Sequence, residues 1–380
     1  MNVAFVYDRV NKWGGAERVL LALHKIWPAA PLFTAVYDKK RASWADVFRV
    51  HPSFLQRIPF ATHAHESLLG LTPIAFESFT FDEYDVVISV TSAEAKNVIT
   101  KPDTLHICYC LTPTRYLWSG FTQYMNQPGF GLFSGIAAAA LRLMAPVLRE
   151  WDIVSASRPD YYVAISQRVK QRIETYYHRD VTDVIHPPVD TQLFRRTSGK
   201  RTKKRSYFLT VSRLVSYKRL DILIQAFNAL GLPLVIIGDG WQKRELKSQA
   251  RSNIRFIDRH LTDSELVRYY EGCRAFVYAA DEDFGLAAAE AQAIGVPVIA
   301  YRQSGVAEIV KEHVSGVLYD HQTADSLIAA VREFLTQEYT ASDCRAQVSN
   351  MSEGHFRKRM HSLVTKLYQK QKTTMIPAAV

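Results

Sequence analysis

Cysteine is scarce in this sequence and shows no pairing. Cys108, Cys110, Cys273 and Cys344 are the only four in 380 residues, and none has the spacing of a metal-ligand pair. Cys108-Tyr-Cys110 sits in an apolar run and is expected to be part of a strand, with all four thiols reduced and the chain cytosolic. Long apolar runs are also missing. The longest weakly charged stretch, from Phe130 to Leu141 and onward, is broken by Arg142 and Pro146 and falls short of the roughly 20 residues a spanning helix needs. The start, M-N-V-A-F-V-Y-D, lacks a basic leader before a long apolar core, so it reads as a first β-strand and not a signal peptide. There is no repeat of solenoid period. Acid is in deficit: 47 Lys and Arg against 37 Asp and Glu give a net charge of +10, which calls for an anionic partner. Nucleic acid, a nucleotide, a lipid diphosphate and an acidic membrane surface all fit that charge.

What is present is ordinary globular composition, 48% hydrophobic and 22% charged, at a length that favours two domains. Short apolar runs (Val3 to Tyr7, Leu32 to Tyr37, Asp85 to Val90, His106 to Cys110) alternate with helical patterns such as Ala16 to Ile26, the mark of βαβ units on a parallel sheet. From Phe194 to Arg205 the run R-R-T-S-G-K-R-T-K-K-R abandons apolar periodicity and reads as an exposed linker. A second βα series follows: strands at Tyr207 to Val211, Leu234 to Ile237, Ile254 to Ile257, Ala275 to Tyr278 and Pro297 to Ala300, with helices at Leu220 to Leu230, Ser264 to Glu271 and Leu286 to Ile294. The expected fold is therefore α/β, two doubly wound Rossmann-like domains facing a cleft. Residues 1–195 are expected to form the first domain, 196–355 the second, and 356–380 a helix returning to the first.

The stretch D-E-D-F-G-L-A-A-A-E, Asp281 to Glu290, carries the chemistry most densely. Three acids follow a strand, Phe284-Gly285 makes a turn, and Leu286 opens a helix whose first N–H groups favour an anion. If most of the steps from Glu282 to Glu290 are helical, the two carboxylates lie roughly 10 Å or more apart. Retaining glycoside hydrolysis wants about 5 to 5.5 Å and inverting hydrolysis roughly 6.5 to 9.5 Å, so a hydrolytic pair is disfavoured. Two grips on one nucleotide sugar, with the helix start at its diphosphate, fit the spacing better. A solvated helix face stands as the bland alternative. After strand Tyr207 to Val211, S-R-L-V-S-Y-K-R-L-D puts Arg213 and Lys218 where two cations would neutralise a diphosphate leaving group. Trp13-Gly14-Gly15-Ala16-Glu17 lets backbone amides approach a phosphate but lacks the spacing of G-x-G-x-x-G. Gly238 and Gly240 in I-I-G-D-G-W form either a ligand-facing turn or a tight connection.

Taken together, G-G-A-E at Gly14, S-R-L-V-S-Y-K-R-L-D at Ser212, I-I-G-D-G at Ile236 and E-D-F-G-L-A-A-A-E at Glu282 resemble the retaining glycosyltransferases of family 4, whose fold is the two-domain GT-B arrangement. C-Y-C-L-T-P-T-R-Y-L-W at Cys108, S-A-S-R-P-D-Y-Y-V-A-I-S at Ser155 and I-H-P-P-V-D at Ile185 resemble bacterial mannosyltransferases that build surface polysaccharides. The resemblance implies that Arg213 and Lys218 bind the diphosphate, Glu282 the sugar hydroxyls and Glu290 the ribose. Amides near Gly15, Phe284, Gly285 and Leu286 complete the grip with Gly238, while Gly14, Leu111, Thr112 and Arg115 lie on the acceptor side. Retention then needs no protein nucleophile. The resemblance also implies no metal and no cofactor, despite the Asp281-Glu282-Asp283 triplet.

One departure stands out: relatives carry C-H-T-P where this chain has Cys110-Leu111-Thr112-Pro113, and leucine does none of a histidine's polar work. His106 reads as structural, and His63 and His65 have no convincing metal partners. The aromatic, apolar stretch from Phe121 to Leu141, followed by Arg142 and Arg149, is either a surface dipping into an anionic bilayer or a helix buried on the core. The leading expectation is a peripheral, cytosolic-face α-mannosyltransferase moving mannose from GDP-mannose onto a lipid diphosphate-linked oligosaccharide, with no nucleic-acid partner. A UDP-sugar donor, a sugar-nucleotide epimerase of similar fold, and a basic nucleic-acid binder are the alternatives.

Overall fold

The computed structural model describes residues 1–59, 61–62, 68, 70–126, 134–194, 205–259 and 261–375. His63, His65, Phe130, Phe133 and the basic run 195–204 lie outside them. Two units are resolved, Met1–Pro188 with Gly354–Val380, and Val189–Glu353. The divisions fall at Pro188 and Glu353, not at 195 and 355. Val189 bridges to Ser352 and the Phe194 ring meets Tyr270 at 5.9 Å, which ties the segment before the basic run to the second unit.

The first unit holds a seven-stranded sheet: β1 (Val3–Tyr7), β2 (Leu32–Thr34), β3 (Val50–Pro52), β4 (Val86–Thr91), β5 (Leu105–Cys110), β6 (Tyr161–Ala164) and β7 (Val181–Val184). Every pairing is parallel and the order is β3-β2-β1-β4-β5-β6-β7. β1, β4 and β5 are buried along their whole length, which is why they read as unbroken apolar runs and not as alternation. Between them run α1 (Gly15–His24), α2 (Thr72–Glu77), α3 (Phe121–Asn126), α4 (Ser134–Ala156) and α5 (Gln167–Tyr177). α4 runs through Arg142 and Pro146, the residues that interrupt the apolar stretch. Among the described residues no helix is long and apolar enough to cross a membrane.

The second unit holds β8 (Tyr207–Val211), β9 (Leu234–Ile237), β10 (Ile254–Ile257), β11 (Cys273–Tyr278), β12 (Val298–Tyr301) and β13 (Gly316–Tyr319), all parallel, in the order β10-β9-β8-β11-β12-β13. Its helices are α6 (Leu220–Leu230), α7 (Lys243–Gln249), α8 (Asp263–Gly272), α9 (Leu286–Ile294), α10 (Ala324–Leu335) and α11 (Ala341–Gln347). α8 opens with a capping box between Thr262 and Glu265, and α9 is bounded by Gly285 and Gly295, both at φ +90°. Strand order reverses between β8 and β11. That leaves a crevice at their carboxyl ends, where open α/β sheets bind ligands.

α12 (Glu353–Met375) ends the described chain and packs within the first unit. Phe356 meets Tyr109 edge-on at 5.8 Å, and Arg359 binds both oxygens of Asp183 at 2.8 and 2.9 Å. All four cysteines are buried free thiols.

Candidate functional site

The loops leaving β8 and β11 build the site. Leu214, fully buried, anchors the first: its N–H donates to Asp239 O at 2.9 Å and its carbonyl accepts from Gln242 N at 3.1 Å. The β9 exit runs against this loop so closely that a Cβ on Gly238, at φ +144°, would lie 1.9 Å from Ser212 O. The Gly238 N–H is donated to Ile257 O at 3.0 Å. The Gly238 amide is thus engaged within the sheet, and glycine is required there by the close approach to Ser212. Gly240 does the same work beside Leu214 O.

Leu214 leaves Arg213 and the turn Ser216–Lys218 just beyond the carboxyl end of β8. Lys218 Nζ pairs with Glu282 Oε2 and donates to the Tyr278 hydroxyl at 2.9 Å, while that hydroxyl donates to Glu282 Oε2 at 2.7 Å. The Lys218 ammonium also sits 5.1 Å from the Tyr217 ring and 5.5 Å from the Tyr278 ring. The Arg213 guanidinium lies over Tyr217 at 5.7 Å and donates to its hydroxyl. Two cations and a carboxylate from distant loops thus form one chain through two tyrosines. Burial alone would lower the Lys218 pKa, but Glu282 and the two phenols outweigh it and hold the ammonium firmly charged. Burial, then Glu282, pushes the Tyr278 phenol well up, so it stays a hydrogen-bond donor.

The β11 loop is held from behind. Gly305 N–H donates to Glu282 O at 2.7 Å, and a Cβ on Gly305 would lie 2.1 Å from Asp283 O. Gln322 donates to Ala279 O at 2.7 Å and accepts from Arg219 at 3.2 Å, linking the residue after Lys218 to the end of β11. Phe284 is buried, and Gly285 starts α9 with Leu286 in its first turn. Glu290 lies inside α9, 5% exposed, with the Tyr270 hydroxyl 3.1 Å from its Oε2. It belongs to a buried helix face, so the solvated-face reading does not hold for it. Among the described residues no group of three His, Cys, Asp or Glu side chains is placed to hold a metal.

In the first unit, α1 begins at Gly15 behind Gly14, whose backbone is extended. Leu111 N–H donates to Thr91 O at 2.8 Å, Thr112 is buried, and Arg115 is half-buried. Beneath this segment lies a polar cluster that sequence reasoning missed. Lys96 Nζ meets Asp152 Oδ1 at 2.5 Å and Thr114 Oγ1 at 3.2 Å, and Asp152 also accepts from Thr114 and from Trp118 Nε1, both at 2.7 Å. Alongside, Glu94 accepts from Tyr116 at 2.6 Å and Arg9 at 3.1 Å. T-P-T-R-Y-L-W was singled out for its resemblance, but no spacing signal connects it to Lys96 or Asp152.

His106 is fully buried, with Nε2 2.9 Å from Ser89 Oγ. Burial, helped by Arg158, lowers its pKa to about 3 and keeps it neutral. Arg149 does not reach outward: it donates to Leu117 O at 2.8 Å and lies 4.5 Å over the Phe121 ring, which corrects its expected role at lipid headgroups.

Residues 191–351 match the family described as glycosyl transferases group 1. O-antigen chain mannosyltransferase C of Escherichia coli is 28% identical over 50% of this chain and 53% of that protein. A D-inositol 3-phosphate glycosyltransferase of Nocardioides sp. is 26% identical over 56% of this chain and 54% of its own. The GDP-mannose-dependent alpha-(1-6)-phosphatidylinositol monomannoside mannosyltransferase of Mycobacterium tuberculosis is 30% identical over 40% and 46%. The chain spans about half the length of the curated relatives it matches. The crystal structure of Anabaena Alr3699/HepE in complex with UDP shares the fold at a TM-score of 0.70 and 17% identity, covering 96% of this chain and 100% of that one. The second unit is thus matched almost end to end by the glycosyl transferases group 1 family, and the two parallel α/β sheets share the GT-B fold.

Proposed function

We propose that this protein transfers a hexose with retention from a nucleotide sugar, GDP-mannose first among the candidates, to a lipid diphosphate-linked oligosaccharide in bacterial polysaccharide synthesis. The observation that carries the reading is the chain Arg213, Tyr217, Lys218, Tyr278 and Glu282 at the strand-order reversal of the second sheet. Arg213 and Lys218 neutralise the diphosphate as it leaves. Glu282 accepts hydrogen bonds from the sugar hydroxyls and Glu290 from the ribose. Amides at Phe284, Gly285 and Leu286 complete the hold. The bond from sugar C1 to the phosphate oxygen breaks, a bond from C1 to the acceptor oxygen forms on the same face, and the acceptor proton passes to the departing phosphate oxygen. Side-chain cations supply the charge that a metal would otherwise bring, so the reaction runs without one. Gly14, Leu111, Thr112 and Arg115 line the acceptor side, where Leu111 offers shape and no proton transfer.

The mannose preference is supported by the Escherichia coli and Mycobacterium tuberculosis relatives. Relatives named for D-inositol 3-phosphate make a small phosphorylated acceptor the second reading. A peripheral site at an anionic membrane is supported by the outer face of α4, where Leu143 (81% exposed), Val147 (64%) and Val154 (60%) recur at helical spacing beside exposed Arg142. The deciding experiment offers radiolabelled GDP-mannose, UDP-glucose, UDP-galactose and UDP-N-acetylglucosamine with bacterial lipid extract. Label entering lipid from GDP-mannose is expected. Isomerised nucleotide without transfer would point to an epimerase, and no turnover of any of the four would sink the reading.

A further inference from the structure

We propose that the Tyr278 hydroxyl is a positioning group that fixes Lys218 and Glu282 as a single unit, keeping the cation for the diphosphate and the carboxylate for the sugar in register. The inference rests on the sugar-nucleotide reading of this site. Lys218 sits on a short turn and Glu282 on a loop, 64 residues apart in sequence, whereas Tyr278 is the last residue of β11. Loop-borne groups hold a productive geometry only when tied to a rigid element, and Tyr278 is the strand residue to which both are tied.

The ring itself is anchored without its hydroxyl. It stacks on Phe276 at 5.8 Å, and the Tyr278 carbonyl accepts from Tyr319 at 3.3 Å. The hydroxyl is thus spared from packing, and its bonds have only one self-consistent direction. An ammonium only donates and a carboxylate only accepts, so the phenol accepts a hydrogen bond from Lys218 and donates one to Glu282. Lys218 uses two of its three N–H groups inside this triangle, and on the sugar-nucleotide reading the third is the one available to a phosphate oxygen. The raised phenol pKa keeps that arrangement intact through neutral pH. Nothing in the sequence motifs pointed to Tyr278, which reads there as the end of a buried strand.

The test is Tyr278→Phe in the full chain, with Tyr278→His as a second variant that retains a ring hydrogen-bonding atom. Each is assayed for GDP-mannose and UDP-glucose binding by thermal shift, for kcat and KM separately, and for its own melting curve. Loss of a hydrogen bond shared by two charged groups is expected to lower kcat/KM about ten- to one-hundredfold in Tyr278→Phe, mostly in kcat, with histidine recovering part of it. A cycle with Glu282→Gln is expected to be non-additive, the double variant being little worse than Glu282→Gln alone. Turnover and sugar-nucleotide binding of Tyr278→Phe equal to the unmodified protein, or an additive cycle, would overturn the proposal while leaving the site reading intact. If the unmodified protein neither binds nor turns over a sugar nucleotide, the site reading fails and takes this proposal with it.

Discussion

Lys96 and Asp152 form an ion pair 2.5 Å long in the first unit, with side chains only 1% and 5% exposed. Burial works against the ammonium, but Asp152 outweighs it and raises the Lys96 pKa. Removing one partner leaves the other charge buried without its counter-ion. Lys96→Met is expected to cost about 3 to 5 kcal/mol of unfolding free energy, because the Asp152 carboxylate loses its counter-charge. Urea unfolding checks this, and a loss under about 1 kcal/mol would mean that Thr114 and Trp118 satisfy Asp152 alone.

His106 makes acid stability measurable. Its folded pKa, about 3, lies below the ordinary histidine value near 6.5, so the unfolded chain binds the extra proton between those limits. Stability from this group is therefore complete above pH 6.5 and is lost as pH falls toward 3. His106→Gln should flatten the slope of unfolding free energy against pH by up to about 1.4 kcal/mol per unit between pH 6 and 4. Identical slopes for the two proteins would contradict the assignment.

Glycines separate close approach from mere flexibility. A Cβ on Gly305 meets Asp283 O at 2.1 Å, whereas on Gly354 it meets nothing within 4 Å. Gly305→Ala should destabilise by about 1 to 3 kcal/mol through forced displacement of the Glu282 loop, and should weaken sugar-nucleotide binding with it. Gly354→Ala, in the first turn of α12, should be neutral or stabilise by about 0.4 to 1 kcal/mol. Calorimetric melts of the two variants give the comparison, and similar melts would remove the close-approach argument.

Charge at the site should matter for turnover far more than for folding. Lys218→Ala and Glu282→Gln are each expected to lower transfer on the order of a hundredfold or more, the scale of losing one transition-state electrostatic partner. Melting temperatures should move by only a few degrees. Near-normal turnover in either variant would remove the pair from the mechanism.

The exposed face of α4 supplies a lipid test. Leu143→Glu with Val147→Glu touches two outward residues and should leave the fold unchanged while reducing sedimentation with anionic liposomes. Unchanged sedimentation would assign that face to some other role.

Local pattern was highly legible. β1, β8, β9, β10, α6 and α9 span the residues at which the apolar runs and helical patterns began and ended. Strands buried on both faces and helices closed by left-handed glycines announce themselves in neighbouring letters. The second strand was overread: regular pairing stops at Thr34, beyond which Ala35 N–H turns to Asp8 O at 3.3 Å. α4 was one of two readings left open for its apolar stretch, and it continues through Pro146, where the proline forfeits one N–H while the other helical bonds persist.

The sequence by itself determined two βα series, the glycines at their turns and the identity of the charged residues leaving β8 and β11, because propensity, periodicity and turn chemistry act over a few residues. Tertiary structure alone decided which groups meet. It brought Tyr278 between Lys218 and Glu282, sank Lys96 onto Asp152, and placed Glu290 against Tyr270. Those partners come from elements tens of residues apart, and burial rather than spacing favours their pairing, since an unpaired charge in the interior consumes a large share of a chain's marginal stability.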